Sequence, residues 1–211
     1  ALIGTDDFAA AAEVYEKLLA EFPKTTHRAA VLFSLGWVRT KLERYEPAIE
    51  AFSQLSREFP DYPDRAKAQL AMSDCYTALK QFDKSALLLQ GLEADKAVAD
   101  QVLLRQAWNL FRSDQKKMAA DAFMRYADRF PGTPLATSAV FNAGISRFET
   151  GDYAGATPLF ARAMETAGDA AQTADARYWG GLCLFNQGLY AETAGMLEPL
   201  IAKTPDHLTP E

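Results

Sequence analysis

Apolar residues recur every three or four positions along most of the chain, which is the helical period, and short polar turns interrupt them at regular intervals. Three segments share one order of residue types: DDFAAAAEVYEKLLAEFPKT, ERYEPAIEAFSQLSREFPDY and GDYAGATPLFARAMETAGDA. Each runs from an acidic residue to an aromatic, then to a small residue three positions on, then to a large apolar residue four further on. The aromatics are Phe8, Tyr45 and Tyr153; alignment on them adds Phe82 and Tyr190, with Lys116 as the exception. The gaps between these markers are 37, 37, 34, 37 and 37 residues.

Other columns keep the same register. Three residues beyond each marker lie Ala11, Ala48, Ser85, Ala119, Ala156 and Thr193. Four further on are Tyr15, Phe52, Leu89, Phe123, Phe160 and Leu197. Fifteen beyond the marker are Pro23, Pro60, Ala97, Pro131, Gly168 and Pro205. Nine before it are Gly36, Ser73, Ala107, Gly144 and Gly181. A fixed period of this size is the signature of a repeat architecture.

The pattern predicts a helical hairpin in each unit: an A-helix, a turn just before the marker, and a B-helix. Proline closes the B-helix, because it cannot continue one and biases its predecessor out of it. Small residues in mid-A and early B let the two backbones approach, and the large B residue fills the seam to the next A-helix. One hairpin cannot bury both faces, so neighbours must stack. The units are a partial one at 1–25, then 26–62, 63–96, 97–133, 134–170 and 171–206, forming a single solenoid over 1–211.

These columns resemble the tetratricopeptide repeat family over nearly the whole chain. The likeness rests on Leu35-Gly36, Tyr45, Ala48, Phe52 and Pro60 in one unit, and on Gly144, Tyr153, Ala156 and Phe160 in another. It implies an all-α fold: a right-handed α-solenoid of antiparallel hairpins with about 11 helices. The usual period is 34. The extra residues fall where one unit passes to the next, as in FPKTTHRAAVLFSLG and RFPGTPLATSAVFNAG. That joint resembles a longer-linker subtype common in bacterial envelope proteins, such as the outer-membrane assembly lipoprotein and the Tol–Pal coordinator. The resemblance therefore implies a periplasmic or outer-membrane-associated protein, with a cytoplasmic one as the alternative. The middle unit departs from the pattern at Ala97 and Lys116, and an altered superhelical angle is expected near Gly91–Asp100.

Composition narrows the classes. With 49% hydrophobic and 24% charged residues, the chain is an ordinary globular one. The net charge of −6 argues against nucleic acid, which is gripped through positive surfaces. No run approaches the roughly 18 apolar residues of a membrane span. His27 and His207 lack neighbouring ligands, so no metal or cofactor is expected. Cys75 and Cys183 share a column three units apart, too far to bridge, and read as small buried hydrophobes. Phosphate loops, nucleophile elbows and paired catalytic carboxylates are absent, so the chain does not read as an enzyme.

Function must then come from a surface. In the family the A-helices line the concave face, which makes the candidate groove Phe33 and Trp37; Asp74; Arg105, Trp108 and Phe111; Phe141 and Phe148; and Tyr178, Trp179 and Phe185. Leu70, Asn142, Ile145 and Leu182 fall on the same faces. At the columns of Phe33, Phe111, Phe141, Phe148, Tyr178 and Phe185 aromatics are common in the family, and packing is the favoured reading. The three tryptophans stand where a polar residue is more usual. They mark either a binding hot spot or packing between A-helices. A lysine-and-asparagine clamp for C-terminal carboxylates is not matched. The expected partner is an apolar or amphipathic peptide or helix in an assembly or transport complex. The alternatives are a self-assembling module and a regulatory domain of a larger enzyme. The chain opens on a B-helix and closes where an A-helix should begin, without polar caps. That pattern suggests a fragment of a longer repeat protein, or ends covered by oligomerisation.

Overall fold

A computed structural model describes residues 7–201. Among them are eleven α-helices and no strand: α1 (Phe8–Glu21), α2 (Arg28–Lys41), α3 (Tyr45–Glu58), α4 (Arg65–Ala78), α5 (Phe82–Gly91), α6 (Ala99–Arg112), α7 (Lys116–Arg129), α8 (Pro134–Glu149), α9 (Tyr153–Thr166), α10 (Ala170–Asn186) and α11 (Tyr190–Ile201). The even-numbered helices are the A-helices and the odd-numbered ones the B-helices. Pro205 and His207 lie outside the described residues. The chain divides into two compact units, residues 1–105 and 106–211, with the boundary inside α6.

The A-to-B turns repeat in atomic detail. The residue two before each marker has a positive φ: Glu43 at 57°, Lys80 at 58°, Asp114 at 64°, Gly151 at 76° and Gly188 at 78°. The following N–H reaches back five residues, as in Arg44 N to Arg39 O at 2.9 Å, Gln81 to Tyr76 at 2.8 Å and Leu189 to Leu184 at 3.0 Å. This left-handed closure satisfies carbonyls orphaned at the helix end. The B-to-A joints repeat as well. Phe22, Phe59 and Phe130 end their helices one residue before proline, and Thr25, Tyr62 and Thr133 donate their N–H back to them. Asp7, Asp152 and Asp169 cap α1, α9 and α10 with side-chain oxygens.

Each unit of the chain buries its own seams. In the first, Leu32, Ala48, Phe52, Leu55, Ala68, Met72 and Cys75 form one cluster drawn from α2, α3 and α4. Full burial of a ring such as Phe52 is worth roughly 1.5–3 kcal/mol. Phe52 fills the seam to the next A-helix, as the pattern predicts, and it also closes its own hairpin. Its ring lies so near Gly36 that an added Cβ would stand 2.6 Å away. Phe160 meets Gly144 in the same way at 2.9 Å, and Leu197 meets Gly181.

The departure in the middle of the chain takes the form of a short helix. α5 has 10 residues where α1, α3 and α7 have 14. Beyond it Leu92 and Val98 turn inward and join Leu70, Leu89 and Val102. Leu70, which the sequence assigns to the groove, is 2% exposed and belongs to this seam. Both cysteines are free and buried. Burial pushes the Cys75 thiol upward and the Cys183 thiol up to about 11.

Candidate functional site

The first unit of the chain presents Phe33, Trp37, Asp74 and Arg105. Phe33 packs edge-on to Phe52 with ring centres 6.2 Å apart, and against Tyr62 at 6.0 Å. Trp37 packs edge-on to Phe8 of the preceding B-helix at 5.7 Å, with Lys41 Nζ 5.3 Å from its ring. Asp74 and Arg105 bind each other: the guanidinium donates from Nε and Nη2 to the two carboxylate oxygens, both at 2.9 Å. This forked pair ties two consecutive A-helices and neutralises the two charges the sequence offers to a ligand.

The second unit holds the remaining candidates. Trp108 lies edge-on to Phe111 at 5.7 Å and to Phe123 at 5.1 Å. Phe141 packs on Phe160 at 5.5 Å. Trp179 lies edge-on to Phe148 at 5.1 Å and stacks on Phe160 at 6.4 Å with planes 19° apart. Each tryptophan thus leans on a B-helix ring and is half-buried. Tyr178 and Phe185 are more exposed, although Tyr178 lies edge-on to Trp179 at 6.1 Å and Phe185 edge-on to Tyr190 at 5.6 Å. They lie seven residues apart on one face of α10 and are 48% and 54% exposed. Leu189 and Tyr190 continue the exposed apolar surface past the turn.

A cleft of about 240 Å³ opens between the consecutive A-helices α8 and α10, above α9. Thr137, Ser138, Phe141 and Asn142 line it from α8, Gln172 and Asp175 from α10, and Ala163 from α9. Thr137 Oγ1 donates to Thr166 O at 2.8 Å, and Gln172 Oε1 accepts from Gly168 N at 3.2 Å. Those two side chains serve the fold. Ser138, Asn142 and Asp175 make no side-chain hydrogen bond or ion pair among the described residues, and no cation lines the cleft. Phe141 and Asn142 are legible in the sequence as groove residues. Ser138 and Asp175 are missed, although each lies three residues before a groove aromatic, hence on the same helical face.

The described residues contain no group of three or more His, Cys, Asp or Glu side chains that could hold a metal ion. No helix among them is long and apolar enough to cross a membrane.

Sequence profiles of the tetratricopeptide repeat match residues 2–69 and 104–171, together more than half of the chain. The chain belongs to the tetratricopeptide repeat family. Its solved structural neighbours agree with that assignment. A tetratricopeptide repeat protein from Parabacteroides merdae superposes with a TM-score of 0.71 at 14% identity, covering 97% of this chain and 76% of that one. MamA superposes with 0.68 at 15% identity, covering 89% of this chain and 100% of MamA. YrrB, described as a tetratricopeptide repeat protein with an unusual peptide-binding site, gives 0.64 at 18% identity over 93% and 95%. At such identities the likeness is one of fold. A comparison with curated proteins by sequence gives no match.

Tetratricopeptide repeat geometry accounts for the columns. The glycine of the A-helix receives the large B residue, and the left-handed residue before the marker turns A into B. The long joint departs from the usual repeat. Its two successive turns, Phe22–Thr25 and Thr25–Arg28, are repeated at Phe59–Tyr62 and Tyr62–Arg65.

Proposed function

We propose that this tetratricopeptide repeat protein is a non-catalytic scaffold that holds a peptide or helical segment of a partner protein on the A-helix face of α8 and α10. The carrying observation is the cleft between those helices, continued by Tyr178 and Phe185. A hollow that sets an aromatic ring, Phe141, among polar side chains free of bonds within the fold has the mixed lining by which a site orients a ligand. Exposed aromatics beside it supply large contact area at low entropic cost. The likeness to YrrB, with its peptide-binding site, supports the reading. The long joint supports a place in a bacterial envelope assembly or transport complex, periplasmic or bound to the outer membrane. Fractionation of the native cell checks that compartment.

The direct test is site-specific photo-crosslinking in the native host. Benzoyl-phenylalanine in place of Tyr178 should capture a partner polypeptide. The same group in place of Met118, which is 56% exposed on B-helix α7, should not. Equal capture at both positions, or capture at Met118 alone, sinks the proposal.

A second reading, self-assembly, is favoured by α11, which buries none of its described residues and leaves Tyr190 and Ile201 66% and 74% exposed. Light scattering over a concentration series separates the two: a mass that stays that of the monomer removes self-assembly.

A further inference from the structure

Resting on the peptide-scaffold reading, we infer that the cleft between α8 and α10 is a specificity pocket for a basic side chain, Lys or Arg, of a peptide ligand.

Three observations carry this. First, Asp175 brings a carboxylate to the cleft and has no cation of its own. Other A-helix carboxylates are neutralised internally, Asp74 by Arg105 and Glu149 by Lys116. Asp175 has no such partner among the described residues, and no Lys, Arg or His lines the cleft. Second, the carboxylate shares the cleft with an aromatic ring, Phe141, and with two unbonded polar groups, Ser138 and Asn142. A long cationic side chain matches that combination. Its methylene stem lies along apolar surface while its head reaches a carboxylate, and a ring face attracts the cation further. Asn142 can both donate to and accept from a peptide backbone. Third, the stretch of chain around Asp175 carries the matching net charge. From residue 162 to residue 201 the chain carries Glu165, Asp169, Asp175, Glu192 and Glu198 against Arg162 and Arg177, and Arg162 is already bound to Asp128. Arg177 in turn donates from Nη1 to Met196 O. An acidic stretch of this kind attracts basic segments and disfavours acidic ones.

An acidic peptide would set its carboxylates beside Asp175 with no cation in the cleft lining to offset the repulsion. An apolar peptide without a cation would cover Asp175 and leave its charge desolvated and unpaired, which is costly.

The test selects peptides from a phage-displayed random library on three proteins: wild type, Asp175→Asn, and Ser138→Lys. Asp175 is exposed and unbonded, so its isosteric replacement leaves the fold intact, which circular dichroism checks. Wild type should select peptides carrying Lys or Arg beside apolar residues, and both variants should lose the basic preference. Citrulline in place of the basic residue of a winning peptide should weaken binding to wild type about tenfold, the scale of one charge-assisted hydrogen bond. It should leave binding to Asp175→Asn unchanged. Wild-type peptides with no basic preference, or a preference that persists in both variants, overturn the inference while leaving the scaffold reading standing. Failure of wild type to select any peptide overturns both.

Discussion

Lys116 Nζ stands 3.3 Å from the centre of the Phe111 ring and 2.7 Å from Glu149 Oε2. Lys116 is the one non-aromatic marker, and the contact explains how the repeat tolerates it. In the next two repeats the equivalent pairs are Phe148 with Tyr153 at 5.2 Å and Phe185 with Tyr190 at 5.6 Å, both edge-on. A positive edge meets a ring in those repeats; here a full cation does.

That relationship makes Lys116 structural. Lys116→Ala should lower stability by about 1–2 kcal/mol, through loss of the cation–π contact and of an ion pair whose lysine is only 17% exposed. Lys116→Tyr should recover the ring contact and cost less than the alanine variant. Urea unfolding measures both. An alanine variant as stable as wild type would show that the contact contributes nothing.

How much of this was legible in the sequence depends on the level. The helices, their turns and the glycine column follow from local periodicity and from what glycine and proline permit. The pairing of Asp74 with Arg105 does not, because the two residues are 31 apart and meet only through stacking of the helices. The tryptophans stayed ambiguous for a related reason: their column says which helix face they occupy, but not how far the neighbouring B-helix ring reaches toward them. Asp175 is hidden because a lone aspartate on an A-helix carries no periodic signal that separates a cleft carboxylate from a solvated one. The shortened α5 left a trace in the 34-residue gap.

The left-handed turn residues give a second prediction. Glu43, Lys80 and Asp114 adopt the positive φ that Gly151 and Gly188 adopt without cost. A residue with a Cβ loses roughly 1–2 kcal/mol there, partly offset by the extra freedom glycine gives the unfolded chain. Glu43→Gly and Lys80→Gly should therefore raise stability by about 0.5–1 kcal/mol each, and Gly151→Ala should lower it by a similar amount. The shift in denaturant midpoint decides, and a destabilised Glu43→Gly variant contradicts the argument.

Gly36 is small because Phe52 needs the space. Gly36→Ala gains roughly 1 kcal/mol of helix propensity, yet its Cβ would stand 2.6 Å from the Phe52 ring, against a cost of overpacking of about 1–3 kcal/mol. A net loss of stability is expected, and Phe52→Leu should partly relieve it in the double variant. If the two single effects simply add, the contact is not the cause.

The thiols predict an alkaline effect. Burial favours the neutral form of Cys183 and holds its titration near 11, above the ordinary thiol range. Below that range both states keep the proton. As pH rises, the unfolded chain loses its proton first, so stability falls between about pH 9 and about pH 11. Cys183→Ala should lose less stability than wild type over that window. Ellman's reagent should find no fast-reacting thiol in the native protein and two per chain after unfolding. A rapidly labelled native thiol would contradict the burial.

Tyr178 and Trp179 are neighbours in sequence with opposite expected roles. Trp179 sits between Phe148 and Phe160 and also meets Tyr178, so Trp179→Ala should remove three ring contacts and cost about 2–4 kcal/mol, near the lower part of the range for buried aromatics because the ring is only half-buried. Tyr178 is 48% exposed and has one edge-on ring contact, with Trp179 at 6.1 Å, so Tyr178→Ala should change stability by about 1 kcal/mol or less. Partner binding should show the reverse order once compared at temperatures where both variants are folded: the tyrosine change should weaken it more than the tryptophan change. Thermal unfolding and binding measured on the same two proteins decide the matter. A Trp179→Ala protein that melts like wild type but no longer binds would move Trp179 from the seam to the docking surface.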